Sequence, residues 1–157
     1  MGEERFMRQA IEEAYNGVNK GHGGPFGAVV AREGEMISVA HNTVLGDGDP
    51  TQHAEMRAIS MAAKKLGNFD LSGCEIYSTT EPCPMCFSAI HWARLDRLIF
   101  GTYIDDVFKL GFNELGISAI TMKDKGASPV QIEDGFMRDE CAKLLEYWDS
   151  LPDKRVY

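Results

Sequence analysis

The 157-residue chain has no apolar run approaching the roughly 18 residues that a membrane-spanning helix needs, so a helical membrane protein is excluded. Basic residues are few and scattered. There are 16 Lys and Arg against 24 Asp and Glu, a formal net charge of −8, and only Lys64-Lys65 and Lys154-Arg155 stand adjacent. Proteins that grip a nucleic-acid backbone draw much of their affinity from neutralising phosphates. This charge balance therefore weighs against a polynucleotide and favours a small molecule. Internal repeats, low-complexity tracts and linker-like stretches are also missing, which predicts one domain over residues 1–157. Cysteine is scarce: four in a chain large enough to build a core without disulfide staples. The opening Met1-Gly2-Glu3-Glu4-Arg5 is charged and leads into a helical pattern rather than a secretory leader, and Phe6 stands where a myristoylation signal needs Ser or Thr. Together these absences predict a reducing, cytoplasmic location.

Periodicity supplies the expected elements. Phe6, Ala10, Ile11, Ala14 and Val18 recur at helical spacing. Gly23-Gly24-Pro25 breaks the chain, after which Phe26–Ala31 and Met36–His41 read as a hairpin about Arg32–Glu35. Thr51 is placed to cap a helix ending at Gly67. Glu75–Thr79 reads as a strand, Pro84–Arg94 as a helix and Leu98–Phe100 as a buried strand. Beyond that the pattern weakens: Ile117–Met122 reads as a strand, Lys123–Pro129 as loop and Gly135–Trp148 as a helix. Strands alternating with helices predict an α/β sandwich.

Two short motifs carry the chemistry. His53-Ala54-Glu55 and Glu81-Pro82-Cys83-Pro84-Met85-Cys86 supply one imidazole and two thiols, the borderline and soft ligands that suit Zn²⁺. Cys83 and Cys86 are three residues apart, so on a helix both sulfurs share a face, and Pro84 fits its first turn. Thiolates at a helix start are favoured by the unpaired N–H groups there. His53 and Glu55 lie about 200° apart on a regular helix and reach one metal only across the helix's N-terminal end. Three protein ligands leave a tetrahedral metal one open position, as a catalytic zinc requires. A lone CxxC is also half of a structural zinc site or a redox pair. A closed structural site needs a fourth ligand from His22, His41, His91 or Cys74, none at a typical paired spacing.

The H-x-E…P-C-x-x-C combination is the signature of zinc-dependent nucleobase deaminases, and through it the chain resembles the cytidine deaminase superfamily. Gly23-Gly24-Pro25-Phe26-Gly27-Ala28-Val29, Asn42, Asp49-Pro50-Thr51, Ala89-Ile90, Trp92-Ala93, Gly111-Phe112 and a tail with Trp148 before Tyr157 make it similar to the small bacterial guanine deaminases of that superfamily. The resemblance implies an α/β/α sandwich about a five-stranded mixed sheet. It also implies one Zn²⁺ per subunit held by His53, Cys83 and Cys86, with Glu55 as the proton shuttle. The implied partner is a second copy: a homodimer whose segment from about 135 to 157 is exchanged, so that Tyr157 caps the neighbouring pocket. Phe26 and Trp92 are implied to flank a flat base, Asn42 to hydrogen-bond its edge and the backbone N–H of Ala54 to contact the ring. One departure stands out. At Gly111-Phe112-Asn113-Glu114 the resembled enzymes carry Asp, and Glu114 keeps the acid while adding a methylene, which shifts a hydrogen bond by roughly 1.5 Å.

The implied reaction is hydrolytic loss of ammonia from an amino-bearing heterocycle, foremost guanine to xanthine. The alternatives are cytosine or another small ring, transfer-RNA adenosine and, from a different class, a zinc-stabilised binding module. Of these, the acidic charge and the tail oppose the transfer-RNA reading, and Glu55 with the open metal position opposes the binding module.

Overall fold

A computed structural model describes all of residues 1–157. In chain order the elements are α1 (Glu4–Asn19), β1 (Gly27–Arg32), β2 (Glu35–His41), α2 (Val44–Asp47), α3 (Ala54–Leu66), β3 (Cys74–Thr80), α4 (Pro84–Trp92), β4 (Arg97–Thr102), α5 (Ile104–Phe108), α6 (Ala119–Gly126), β5 (Gln131–Glu133) and α7 (Arg138–Asp149). The strands form one mixed sheet in the order β2-β1-β3-β4-β5. β1 pairs antiparallel with both β2 and β3, whereas β3, β4 and β5 run parallel.

The pleat sends alternate residues to opposite faces, and the side chains follow it. Ala28, Val30, Ile76, Leu98 and Phe100 pack with Ala54, Ala58, Phe87 and Ile90, which come from α3 and α4. Val29, Ala31, Tyr77 and Ile99 pack with Phe6, Met7 and Ala10 of α1 and Cys141 of α7. The result is the expected α/β/α sandwich with five strands. Each fully buried Leu, Ile or Phe contributes about 1.5–3 kcal/mol relative to exposure, so Ile99→Ala on the interior strand β4 is expected to cost about 2–5 kcal/mol.

The differences from the expected elements fall mostly after β4. Ile117–Met122 is not a strand. Ser118 caps α6 by accepting from Thr121 N at 3.0 Å, and the helix turns through Lys123–Gly126, which had read as loop. The β-branched residues there suggest a strand, but the cap and the packing of Ala119 and Met122 into the core select a helix. The fifth strand is the three-residue β5, whose sole apolar residue, Ile132, is too little for a period-2 signal. Thr51 does not cap α3. Its hydroxyl donates to Asp49 Oδ1 at 2.7 Å in a local turn, and His53 takes the N-cap position.

Candidate active site and metal centre

The metal ligands sit where two helices begin. His53 is the N-cap residue of α3 and Cys83 that of α4, both with extended backbone, and Pro84 opens α4 at its first position. β3 delivers the chain to Cys83 from the carboxyl edge of the parallel strands, the usual side for sites in such sheets. His53 Nδ1 lies 3.7 Å from Cys83 Sγ and 3.5 Å from Cys86 Sγ. A tetrahedral zinc with Zn–S about 2.3 Å and Zn–N about 2.0–2.1 Å places N and S ligands roughly 3.5–3.6 Å apart. The geometry and chemistry of the donor set therefore fit zinc.

No fourth protein ligand is at hand. His22 and His41 are engaged with each other at 2.9 Å, His91 with Ser128 at 2.9 Å, and Cys74 is buried at the opposite end of β3. The three ligands therefore form an open site, not a closed structural one.

The electrostatics suit a cation. Hydrogen bonding from Cys86, then from His53, holds the Cys83 thiol down at about 4, while that same pairing and burial push Cys86 up. One thiolate thus forms readily without metal, and a divalent ion supplies the charge that ionises the second. Burial pulls His53 down, but the Cys83 thiolate and Glu55 outweigh it and its pKa is raised.

Glu55 is one residue into α3 and only 6% exposed. Burial, then the Cys83 thiolate, raises its pKa against the lowering influence of His53. Ser78 Oγ lies 3.1 Å from Glu55 Oε1 and 2.6 Å from the Thr80 carbonyl. A hydroxyl has one proton to give. When Ser78 donates to Thr80, its lone pairs can accept from a protonated Glu55; an ionised Glu55 competes for that proton instead. Ser78 therefore accommodates both protonation states of Glu55.

Across from the ligands lies a cavity of about 320 Å³, lined by Phe26, Asn42, His53, Glu55, Cys83, Phe112, Glu114 and Tyr157 among others. That volume is at the small end for ligand pockets. Asn42 is 1% exposed; its Oδ1 accepts from Val44 N at 3.1 Å, while Nδ2 has no protein partner. A buried donor left this way costs free energy unless a ligand meets it. Burial, then the negative Cys83, raises the Glu114 carboxyl to about 7 in the metal-free protein. Phe112 packs edge-on to Phe26 at 5.3 Å and to Tyr157 at 5.2 Å, forming an aromatic wall.

Tyr157 is pinned at the cavity of its own chain: its hydroxyl accepts from Gly24 N at 3.3 Å and its backbone oxygen from Asn113 N at 3.0 Å. The glycine pair allows this approach. A side chain at position 23 would overlap Asn42 Oδ1, and one at 24 would crowd Phe26 and the Tyr157 hydroxyl.

Most residues singled out from sequence thus converge, with Cys86 and Ala54 buried just behind the cavity. Trp92 does not. It ends α4, nine residues from Cys83 and about 13 Å along the helix axis. It is 79% exposed beside Phe69 in a separate surface groove, so within one chain it cannot flank a base in this cavity. Ser78, Glu81 and Phe112 were not given roles from sequence. Glu81, embedded in the cysteine motif itself, carried the one available signal: an acid beside two prolines at a strand end.

The profile of the cytidine and deoxycytidylate deaminase zinc-binding region matches residues 1–102. A guanine deaminase of Bacillus subtilis (strain 168) is 43% identical over 114 residues, 73% of each chain. A tRNA-specific adenosine deaminase of Aquifex aeolicus (strain VF5) is 47% identical over 100 residues, 64% of this chain and 66% of that one. Among solved structures, a guanine deaminase from Nitrosomonas europaea superposes with a TM-score of 0.88 at 30% identity, covering 96% of this chain and 86% of its own. The chain belongs to the cytidine and deoxycytidylate deaminase family, and it is a zinc-type hydrolytic deaminase in which His53, Cys83 and Cys86 form the candidate zinc site.

Proposed function

We propose that the protein removes ammonia hydrolytically from guanine to give xanthine. The observation that supports this reading is the wall facing the metal ligands, where the unpartnered Asn42 donor and the Glu114 carboxyl border one small cavity that Tyr157 also lines. A planar ring with a carbonyl acceptor on one edge and a ring N–H on another satisfies both groups. Guanine carries both together with an exocyclic amino group, whereas adenine has no carbonyl. The charge of −8 also opposes a transfer-RNA strand.

His53, Cys83 and Cys86 would hold a zinc ion, whose Lewis acidity would lower the pKa of a water toward about 7. The protein's own residues do the rest. Phe26 and Phe112 present one aromatic wall to the ring, Asn42 Nδ2 donates to its acceptor edge, Glu114 accepts from a ring N–H and the Ala54 N–H contacts the ring. Glu55 takes one proton from the attacking water as the C–O bond forms and delivers it to the ring nitrogen beside the amino-bearing carbon. It then takes the remaining hydroxyl proton and passes it to the amine, which leaves as ammonia as the C–N bond breaks and the carbonyl forms.

The same reading includes a homodimer in the cytosol. An exposed Trp92 beside a 70% exposed Phe69 is the kind of patch that marks an interface, and Trp92 reaches a base only from a neighbouring copy. Exchange of the segment from about 135 to 157 would bring a partner's tail to the place that Tyr157 occupies here. Light scattering at micromolar concentration tests the pair: a monomeric mass would overturn it.

The function is tested by ammonia release from zinc-loaded protein on guanine, guanosine, cytosine, cytidine, adenine and a transfer-RNA anticodon stem. Turnover of guanine above the others is expected. Activity on cytosine or the anticodon stem alone would replace guanine while keeping the mechanism. Zinc binding with silence on every substrate would make the protein a binding module.

A further inference from the structure

We propose that Glu81 is a positioning residue, whose carboxylate holds the segment 104–119, and Glu114 with it, in register with the metal-binding cysteines. The proposal rests on the deaminase reading above. Glu81 follows the last residue of β3 and precedes Cys83 by two, and it is 6% exposed. Its Oε2 accepts from Ile104 N at 3.0 Å and its Oε1 from Ala119 N at 2.8 Å. Those two amides belong to the first residues of α5 and α6. Between these helices the chain from 109 to 118 has no regular structure, yet it places Phe112, Asn113 and Glu114 in the cavity wall.

The near end of that segment follows β4, whose Thr102 pairs with Thr80 of β3, whereas the far end, at Ala119, is tied to the metal-ligand hinge through the Glu81 carboxylate. That carboxylate has two amides as its hydrogen-bond donors and no ion pair with Lys or Arg. Such charge-assisted bonds are strong and directional. A buried carboxylate is costly without them. Glu81 N also donates to Thr102 O at 2.8 Å, so the carboxylate is itself fixed to β4. An acid at this point thus reads as a brace from the metal-ligand hinge to the wall that meets the substrate. It does not itself touch the reacting atoms.

Glu81→Gln keeps the shape and one acceptor but turns an NH₂ toward one of the two amides. With zinc-loaded protein and the best substrate of the panel, we expect zinc content and kcat to hold and KM to rise about tenfold, the scale of one misplaced polar contact. The rise should vanish when Glu114→Ala is already present. Ser118→Ala, which removes only the cap on α6, should lower the thermal midpoint and leave KM alone. An unchanged KM, a KM rise that persists in Glu114→Ala, or loss of zinc would each overturn the proposal. Amide hydrogen exchange of the zinc-loaded protein separates this from the function itself. Faster exchange across 104–119 in Glu81→Gln, with 53–58 and 83–90 unaltered, supports the brace even if no base is turned over. Unaltered exchange across 104–119 overturns it.

Discussion

The two walls of the cavity are built by different means. On one side His53, Glu55, Cys83 and Cys86 stand on the first turns of α3 and α4, each following directly from extended backbone. Their relative positions come from local geometry and from a core of buried Ala58, Phe87, Ile90 and Leu98 that locks both helices to the sheet. On the other side Asn42, Phe112, Glu114 and Tyr157 stand on loops and the chain terminus, held by long-range hydrogen bonds such as Asn113 N to Tyr157 O and by packing of Phe112 and Tyr157 in a small cluster with Val107, Leu145 and Trp148. Bond-breaking chemistry needs ligands and a proton carrier held to within about 0.5 Å. Recognition of a ring edge tolerates adjustment, and loops on a rigid frame are where binding specificity usually resides. The metal wall is therefore expected to tolerate no substitution, and the loop wall to change what is bound before it changes how fast it reacts.

The largest effects should come from the metal wall. His53→Ala or Cys83→Ala removes one of three ligands, and zinc and turnover should disappear together, read by metal analysis and ammonia release on the same sample. Glu55→Gln should retain stoichiometric zinc yet lose about 10²–10⁴-fold in kcat, the usual contribution of a positioned acid–base group. A Glu55→Gln enzyme of near-normal rate would remove Glu55 from the mechanism. Together these variants separate holding the metal from moving the proton, and the comparison fails if they behave alike.

On the loop wall, Asn42→Ala or Glu114→Gln should raise KM about 10–100-fold with a smaller change in kcat, because each removes one polar contact to the ring. Glu114→Asp withdraws the carboxyl by one methylene. If KM for guanine falls, the longer acid is imperfectly placed for that base; if it rises, the loop has adapted to Glu114. Kinetics in which kcat collapses and KM stays constant would show that the two walls are not functionally distinct.

The same division explains what could be read from the sequence. Motif spacing is local: C-x-x-C on a helix and H-x-E at a helix start fix their geometry within one turn, so the convergence of His53, Cys83 and Cys86 was legible. Strands rich in Val and Ile, such as 28–31 and 98–100, announced the sheet. The second wall depends on meetings across more than a hundred residues, as between Gly24 and Tyr157, and such contacts leave no periodic mark. Ile117–Met122 misled because Ile and Thr favour strands, while the Ser118 cap and the seat for Ala119 beneath α4 are tertiary facts. Trp92 misled differently: a resemblance implies a role, but this fold puts Trp92 at the far end of α4 from the metal-binding motif, exposed in a separate groove.

The smallest effect belongs to a region outside both walls. Asp70, before β3, accepts from Ser72 and then from Arg94, whose Nη1 lies 2.8 Å away, and these bonds hold its carboxyl down at about 2. An unfolded Asp titrates near 3.9. Because the folded value is the lower one, the native state binds fewer protons than the unfolded chain between these values. Stability from Asp70 is thus present above about pH 4 and is lost as pH falls through about 2. The pair is exposed and screened, so its contribution is small. Asp70→Asn should make the thermal midpoint less steep between pH 4 and pH 2, leaving KM, kcat and zinc content at pH 7 as they were. An effect of this variant on KM would mean that the far edge of the sheet communicates with the loop wall, and the division between the two walls would then be drawn in the wrong place.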